Sequence, residues 1–178
     1  MYDKFQEAKE IYMQYGGNYF FMDRGDVALF QRYKSFNVPE ELERQWDVEM
    51  YNSLTCKIPK ENNFRQLVYM SASLLNLSRK LNTIQGLQFV YDFFIEHRNN
   101  FDVFTSLRLV ESICGGMDDF SKIGRDKSLD IMKETINFLI KLESRYKIEK
   151  NIDEQLKQRI EDRKNEYILL YTKIVNEK

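Results

Sequence analysis

The sequence predicts an all-α protein. Only two prolines and seven glycines interrupt the 178 residues, and between them apolar side chains recur every three or four positions. This spacing places apolar residues on one face of a helix, whereas a strand would alternate them with polar residues. No segment repeats at a fixed period. We expect an irregular bundle of about seven helices, or a short stack of antiparallel helix pairs, ending in a helical hairpin.

The N-terminal part of the chain is predicted to be helical apart from one segment. A helix is expected over residues 3–15, where apolar residues share a face and a pair of glycines follows. Residues 18–25, NYFFMDRG, are short and rich in aromatics, which predicts a strand or a tucked loop. Helices are expected over 26–36, with an acidic residue as N-cap, and over 39–57, ending before Pro59.

The most polar connection in the chain is KIPKENN, residues 57–63. A polar linker of this kind is a candidate domain boundary. We expect a single helical domain over residues 1–178, with this connection as a loop. The alternative is an N-terminal subdomain, residues 1–56, joined by residues 57–63 to a main bundle, residues 64–178.

Beyond this connection, apolar stripes predict the remaining helices. They are expected over residues 64–81, 87–100, 103–113, 127–146 and 151–174. The last of these is expected to begin with Asn151 as N-cap, with Glu154 completing a capping box. The last two helices are long and closely connected, so an antiparallel hairpin is expected.

One connection is longer than bundle loops usually are. Residues 115–126, GGMDDFSKIGRD, exceed the roughly 2 to 8 residues typical of helix–helix connections. Long loops often carry binding or catalytic residues. If the chain is an enzyme, we expect this segment to be the mouth of its site.

The sequence contains few of the groupings that catalysis requires. His97 is the single histidine, which excludes multi-histidine metal centres, and Cys56 and Cys114 lack the close partners of a zinc site. The glycine pairs lack the further glycines and lysine of nucleotide-binding loops. We predict no catalytic residue, no metal ligand and no cofactor.

Aromatic and methionine side chains are the best candidates for contacts with a partner, because both are enriched in interface cores. They occur between the N-terminal glycines and in the long connection. The candidate partner-binding residues are Tyr19, Phe20, Phe21, Met22, Met117, Asp118 and Phe120. An alternative is that the aromatics of the first group fill the end of the bundle.

The leading functional hypothesis is a non-catalytic helical protein-interaction module: an adaptor, a regulator or a neutralising partner of another protein. The first alternative is an enzyme whose site assembles from scattered Asp, Glu, Arg and Tyr residues at the 115–126 loop. The second is weak nucleic-acid binding through a local basic cluster, Lys57, Lys60 and Arg65. A net charge of -1 gives no general attraction to nucleic acid or to an anionic membrane.

The predicted location is the cytoplasm. The chain lacks a visible secretory signal and a long apolar run, and its two isolated cysteines suit a reducing compartment. The abundance of Lys, Asn, Ile, Tyr and Phe over Ala indicates an AT-rich genome. Neither the oligomeric state nor the identity of the partner follows from the sequence.

Overall fold

The computed structural model describes residues 5–148 and 153–177, and their side chains except those of residues 19–21 and 145–148. All regular structure in these ranges is helical, which confirms the predicted all-α class. The count of about seven is wrong, since the described ranges contain ten α-helices. They are α1 (Gln6–Gln14), α2 (Tyr19–Gly25), α3 (Val27–Ser35), α4 (Glu40–Lys57), α5 (Phe64–Lys80), α6 (Gln85–His97), α7 (Val103–Cys114), α8 (Met117–Ile123), α9 (Arg125–Ile148) and α10 (Glu154–Asn176). Two 3-10 turns occupy Ile58–Lys60 and Arg98–Asn100.

The segment predicted as a strand or loop is the short helix α2. A helix of two turns is marginal in isolation, because the cost of nucleation is spread over few hydrogen bonds. Here Met22 is fully buried. Its backbone N–H donates to the carbonyl of Asn18, and its carbonyl accepts from the backbone N–H of Asp26. Tertiary burial therefore decides the conformation, and the Asp26 side chain caps the next helix by accepting from the backbone N–H of Leu29 at 2.9 Å.

The long connection predicted over residues 115–126 is also partly helical, because it contains α8. Met117 and Phe120 are both fully buried and anchor one side of this helix. Gly116 precedes the helix and Gly124 follows it. The remaining connections are therefore short, as is usual in helical bundles.

The last helix begins at Glu154, where Asp153 is the N-cap and accepts from the backbone N–H of Gln155 at 2.9 Å. The predicted N-cap, Asn151, lies outside the described residues. Asp153 fulfils the expected role because a short carboxylate side chain can reach the unsatisfied N–H groups of the first turn.

The chain divides into two compact units, Met1–Lys57 and Ile58–Lys178. Independent folding of an N-terminal subdomain stays a prediction. Each unit has its own buried side chains and is described by itself below.

Aromatic rings form the centre of the first unit. Tyr12 of α1 stacks on Tyr33 of α3 with ring centroids 5.7 Å apart, and it meets Trp46 of α4 at 5.5 Å. The Tyr12 hydroxyl donates to Oδ1 of buried Asp47 at 3.0 Å. Inside such a core an unpaired polar group would cost about 1–3 kcal/mol, so the bond joins α1 to α4 in one arrangement.

The second unit is organised around the parallel pair α5 and α7. At one end the rings of Phe64 and Phe101 meet edge to face, 5.6 Å apart. At the other end Gly116 lies so close to the Arg79 guanidinium that an added Cβ would be 2.8 Å from its Nη1. The first contact joins the starts of the two helices and the second joins their ends, so the two helices run in the same direction. The helix α6, which connects them along the chain, packs against both.

The helices α9 and α10 form an antiparallel pair. Arg125, at the start of α9, donates to the carbonyl of Ile174 near the end of α10. Further along, Lys164 of α10 donates to the buried Glu143 of α9 at 2.5 Å. The helix α10 also contacts α7, which joins this hairpin to the α5–α7 pair.

Among the described helices, none is both long enough and apolar enough to cross a membrane.

Gly17 provides a test of the core of the first unit. Gly16 and Gly17 both have a positive φ, 58° and 68°, so alanine at either position adopts a strained left-handed backbone that costs about 1–2 kcal/mol. Only at Gly17 would the new Cβ also meet core atoms, at 2.9 Å from Asp47 Oδ1 and 3.0 Å from the Tyr12 ring, whereas at Gly16 the space is open.

We therefore expect Gly17→Ala to destabilise the first unit by about 1–3 kcal/mol more than Gly16→Ala. The fluorescence of Trp46, the single tryptophan of the chain, follows this unit during urea unfolding. Equal losses in the two variants would contradict the described packing of Gly17.

Candidate functional site

Of the residues predicted to bind a partner, Met22, Met117 and Phe120 are fully buried. They contribute to the core, and α8 would have to leave its position before Met117 or Phe120 could touch a partner. Asp118 is partly exposed, with its carboxylate 3.7 Å from the Lys173 ammonium. The side chains of Tyr19, Phe20 and Phe21 lie outside those that the structure describes, so a binding role for them stays a prediction.

The carboxylates near α8 form ordinary surface ion pairs. Asp119 lies 3.5 Å from Arg79 and 3.7 Å from Lys122. Within the described ranges, no three His, Cys, Asp or Glu side chains are placed to hold a metal ion. The segment predicted to form the mouth of an enzyme site thus presents isolated charge pairs.

Cys114 and His97 have separate structural roles. Burial, followed by the charge of Glu166, raises the pKa of the Cys114 thiol, so that it stays protonated at neutral pH. A nucleophilic cysteine needs the opposite shift. His97 stacks on Phe93 with ring centroids 4.4 Å apart, and its Nδ1 is 3.0 Å from the Phe93 carbonyl oxygen.

An open groove of about 740 Å³ lies between α5 and α7 in the second unit. On α5 the lining positions include Val68 and Ala72, and on α7 they include Thr105 and Ser112. These small side chains lie between larger ones on the same two helices. Because they leave space that a larger residue would fill, the surface is concave along the helix pair.

The groove carries an unusual set of exposed aromatic residues. Phe64 is 38% exposed, Tyr69 is 56% exposed and Phe104 is 53% exposed. Of the aromatic side chains that the structure describes, only these three are exposed, and all three line this groove. Their convergence on one depression distinguishes it from the rest of the described surface.

Each wall of the groove pairs an arginine with an aromatic ring one helical turn away. On α5 the guanidinium carbon of Arg65 lies 5.9 Å from the centre of the Tyr69 ring. On α7 the guanidinium carbon of Arg108 lies 5.5 Å from the centre of the Phe104 ring. Both are i,i+4 pairs in cation–π geometry, so the walls combine flat apolar surface with positive charge.

Three arginines surround one carboxylate where the groove meets α10. Glu111 of α7 accepts from Arg159 Nε at 2.9 Å and from Arg163 Nε at 2.9 Å, and Arg108 Nη1 donates to it at 3.2 Å. A second Arg159 nitrogen, Nη2, lies 2.6 Å from the other carboxylate oxygen, which makes the pair bidentate. The Glu111 side chain is only 12% exposed. We call these four residues the Glu111 cluster.

The charge state of Glu111 follows from these contacts. Burial alone would raise the pKa of its carboxyl. The hydrogen bonds from Arg159, Arg163 and Arg108 and the charge of Arg159 outweigh burial, so the pKa lies below its usual value. Glu111 is therefore ionised at neutral pH, and its negative charge is taken up by its own arginines.

Sequence reasoning missed this groove, although its residues carry a local signal. The i,i+4 pairs Arg65–Tyr69 and Phe104–Arg108 are visible in the sequence, and Arg65 appeared in the predicted basic cluster. What the sequence does not reveal is that α5 and α7 lie side by side. Without this pairing, an aromatic residue near an apolar stripe is more simply assigned to the core.

Comparison of the chain with protein-family models, curated proteins and solved structures finds no match. The chemistry of the groove is therefore inferred from its own residues.

Glu111 also provides a stability test. The substitution Glu111→Gln removes the charged partner of Arg159 and Arg163, whose side chains are partly buried. We expect the free energy of unfolding to fall by about 1–3 kcal/mol at pH 7. The matched control is Glu166→Gln, which removes an exposed partner of Arg163 and should cost less than about 1 kcal/mol. Urea unfolding followed by far-UV circular dichroism measures both.

The stability of the wild-type chain and that of Glu111→Gln should also depend differently on pH. Because the folded pKa of Glu111 lies below the usual value of 4.5, its contribution to the free energy of unfolding is present above about that pH. The contribution is lost as the pH falls through the folded pKa. We expect the wild-type chain to lose more stability than Glu111→Gln between pH 6 and roughly pH 3. Parallel pH profiles would contradict the assigned role of the cluster.

Proposed function

We propose that this chain is a non-catalytic helical module that binds another protein, as an adaptor, a regulator or a neutralising partner. Its binding surface would be the groove between α5 and α7, and the occupant an amphipathic segment of the partner that lays its apolar face between the two helices. The observation that carries the proposal is that all three exposed aromatic residues of the described chain line this groove.

Exposed aromatic residues support binding for an energetic reason. Covering apolar surface stabilises a complex by about 25 cal/mol per Å², and rigid aromatic side chains lose little conformational entropy when they are covered. Such residues are enriched in the cores of protein interfaces. The partly exposed rings of Phe64, Tyr69 and Phe104 thus leave apolar surface for a partner to cover.

The shape of the groove supports a helical occupant. Lining residues recur at i and i+4 on both helices, as in Val68 and Ala72 on α5 and Phe104 and Arg108 on α7. This spacing produces the ridges and depressions into which the side chains of a third helix pack. Recognition of an amphipathic helix by an apolar groove is a recurrent mode of peptide binding.

A cytoplasmic location belongs to the same proposal, and it is supported by two cysteines that are both free, Cys56 and Cys114. Nothing in the described surface favours the enzyme alternative specifically. Of the predicted basic cluster, Arg65 lines the groove.

Selection of binders from a random-peptide display library on the immobilised full chain tests the proposal. We expect the selected peptides to lose at least about tenfold in affinity for the double variant Tyr69→Ser, Phe104→Ser, because two apolar contacts disappear. Both residues are exposed, so the fold should persist, and circular dichroism verifies this.

The matched control is Leu169→Ser, which removes a side chain that is 72% exposed and does not line the groove. We expect this variant to bind the selected peptides like the wild type. Peptides that bind the double variant as tightly as the wild type, or a library without any enriched binder, would contradict the proposal.

A further inference from the structure

We propose that the α5–α7 groove selects partner segments that carry acidic side chains beside their apolar face. This inference rests on the proposed function, since it names the chemistry of the segment that would occupy the same groove. It follows from how the charges around the groove are paired.

The carboxylates of the groove are already occupied. Asp102 is the N-cap of α7, and its Oδ1 accepts from the Thr105 backbone N–H at 2.6 Å. Its charge thus lies against the positive end of the helix dipole. Glu111 is surrounded by the arginines of its cluster and is almost fully covered. Neither carboxylate is placed to attract a cation from a partner.

The arginines of the groove, in contrast, retain unused donors. A guanidinium has five N–H groups, and Arg108 directs one terminal nitrogen to Glu111 while its side chain stays 46% exposed. Arg65 forms no ion pair with a described residue, and its guanidinium lies over Tyr69. Each arginine is therefore held beside an aromatic ring with donors available for a carboxylate.

The cluster adds to this excess of positive charge. Arg108, Arg159 and Arg163 share the single charge of Glu111, and among the residues that the structure describes only Arg163 has a further carboxylate partner, Glu166. The local sum is positive where the groove meets α10. A carboxylate arriving there would lower the mutual repulsion of the arginines.

The same arrangement favours a protein segment over a nucleic acid. Two carboxylates, Asp102 and Glu111, line the groove together with two arginines. A phosphate backbone carries a charge at every nucleotide and cannot avoid these carboxylates, whereas a peptide can place acidic residues only where the arginines lie. Acidic residues that flank an apolar face therefore fit the pattern of charges.

The test uses three synthetic amphipathic peptides of about 15 residues with one shared Leu and Phe pattern, differing only in whether the flanking positions are Glu, Gln or Lys. Fluorescence anisotropy gives the Kd of each peptide with the full chain. We expect the Glu peptide to bind about fivefold or more tighter than the Gln peptide at low salt. The advantage should shrink as added salt screens the charges.

Variants separate a direct contact from a structural effect. Arg65→Gln with Arg108→Gln should abolish the advantage of the Glu peptide over the Gln peptide. Charge reversal, Arg65→Glu with Arg108→Glu, should shift the preference to the Lys peptide, which a merely structural role would not do. Lys122→Gln, which removes an exposed cation away from the groove, is the matched control.

The outcomes distinguish the two proposals. Equal affinities for the Glu and Gln peptides, both lost in Tyr69→Ser, Phe104→Ser, would overturn the acidic preference and support the groove. Failure of all three peptides to bind would overturn both. Tighter binding of an oligothymidine of about 15 nucleotides than of the Glu peptide, lost in Arg65→Gln with Arg108→Gln, would overturn the acidic preference in favour of nucleic acid.

Discussion

The close parallel packing of α5 against α7 is the constraint on which the second unit depends. Fully buried Leu74 and Leu109 belong to these two helices, and buried serines such as Ser71 and Ser106 let helices approach closely without a bulky side chain between them. The connecting helix α6 must then return along the pair. Two parallel helices that are in contact along their buried faces and diverge at their exposed faces leave a furrow between their outer side chains, and this furrow is the groove.

The Glu111 cluster gives this pair a second function in the architecture. Arg159 and Arg163 come from α10, so their ion pairs with Glu111 hold the C-terminal hairpin against α7. Arg108 of α7 belongs both to the cluster and to the wall of the groove. Stability and the proposed recognition of a partner therefore share one set of side chains. The three arginines of the cluster meet two carboxylates among the described residues, Glu111 and Glu166, so one positive charge is in excess. An excess of donors at a groove is what recognition of an acidic partner requires.

The sequence was sufficient for the fold class and insufficient for the surface. Helical periodicity requires only local information, so the all-α class is confirmed, and Asp26 caps its helix as its position suggested. Whether Met117 and Phe120 face the core or a partner depends on which helix lies opposite them, and periodicity does not contain this information. The groove could not be predicted for the same reason, because the sequence does not show which helices pack together. Tyr69 and Phe104 lie far apart in the chain, and they line one depression only after α5 and α7 pair.

The relative direction and register of α5 and α7 can be measured directly by nuclear Overhauser effects in the full chain. The account predicts cross-peaks between the rings of Phe64 and Phe101 and, in the same sample, between the side chain of Arg79 and the backbone of Gly116. Both must be present, because the groove exists only when the two helices run side by side in one direction. Cross-peaks that instead join Phe64 to Gly116 and Arg79 to Phe101 would show an antiparallel pair and contradict the account.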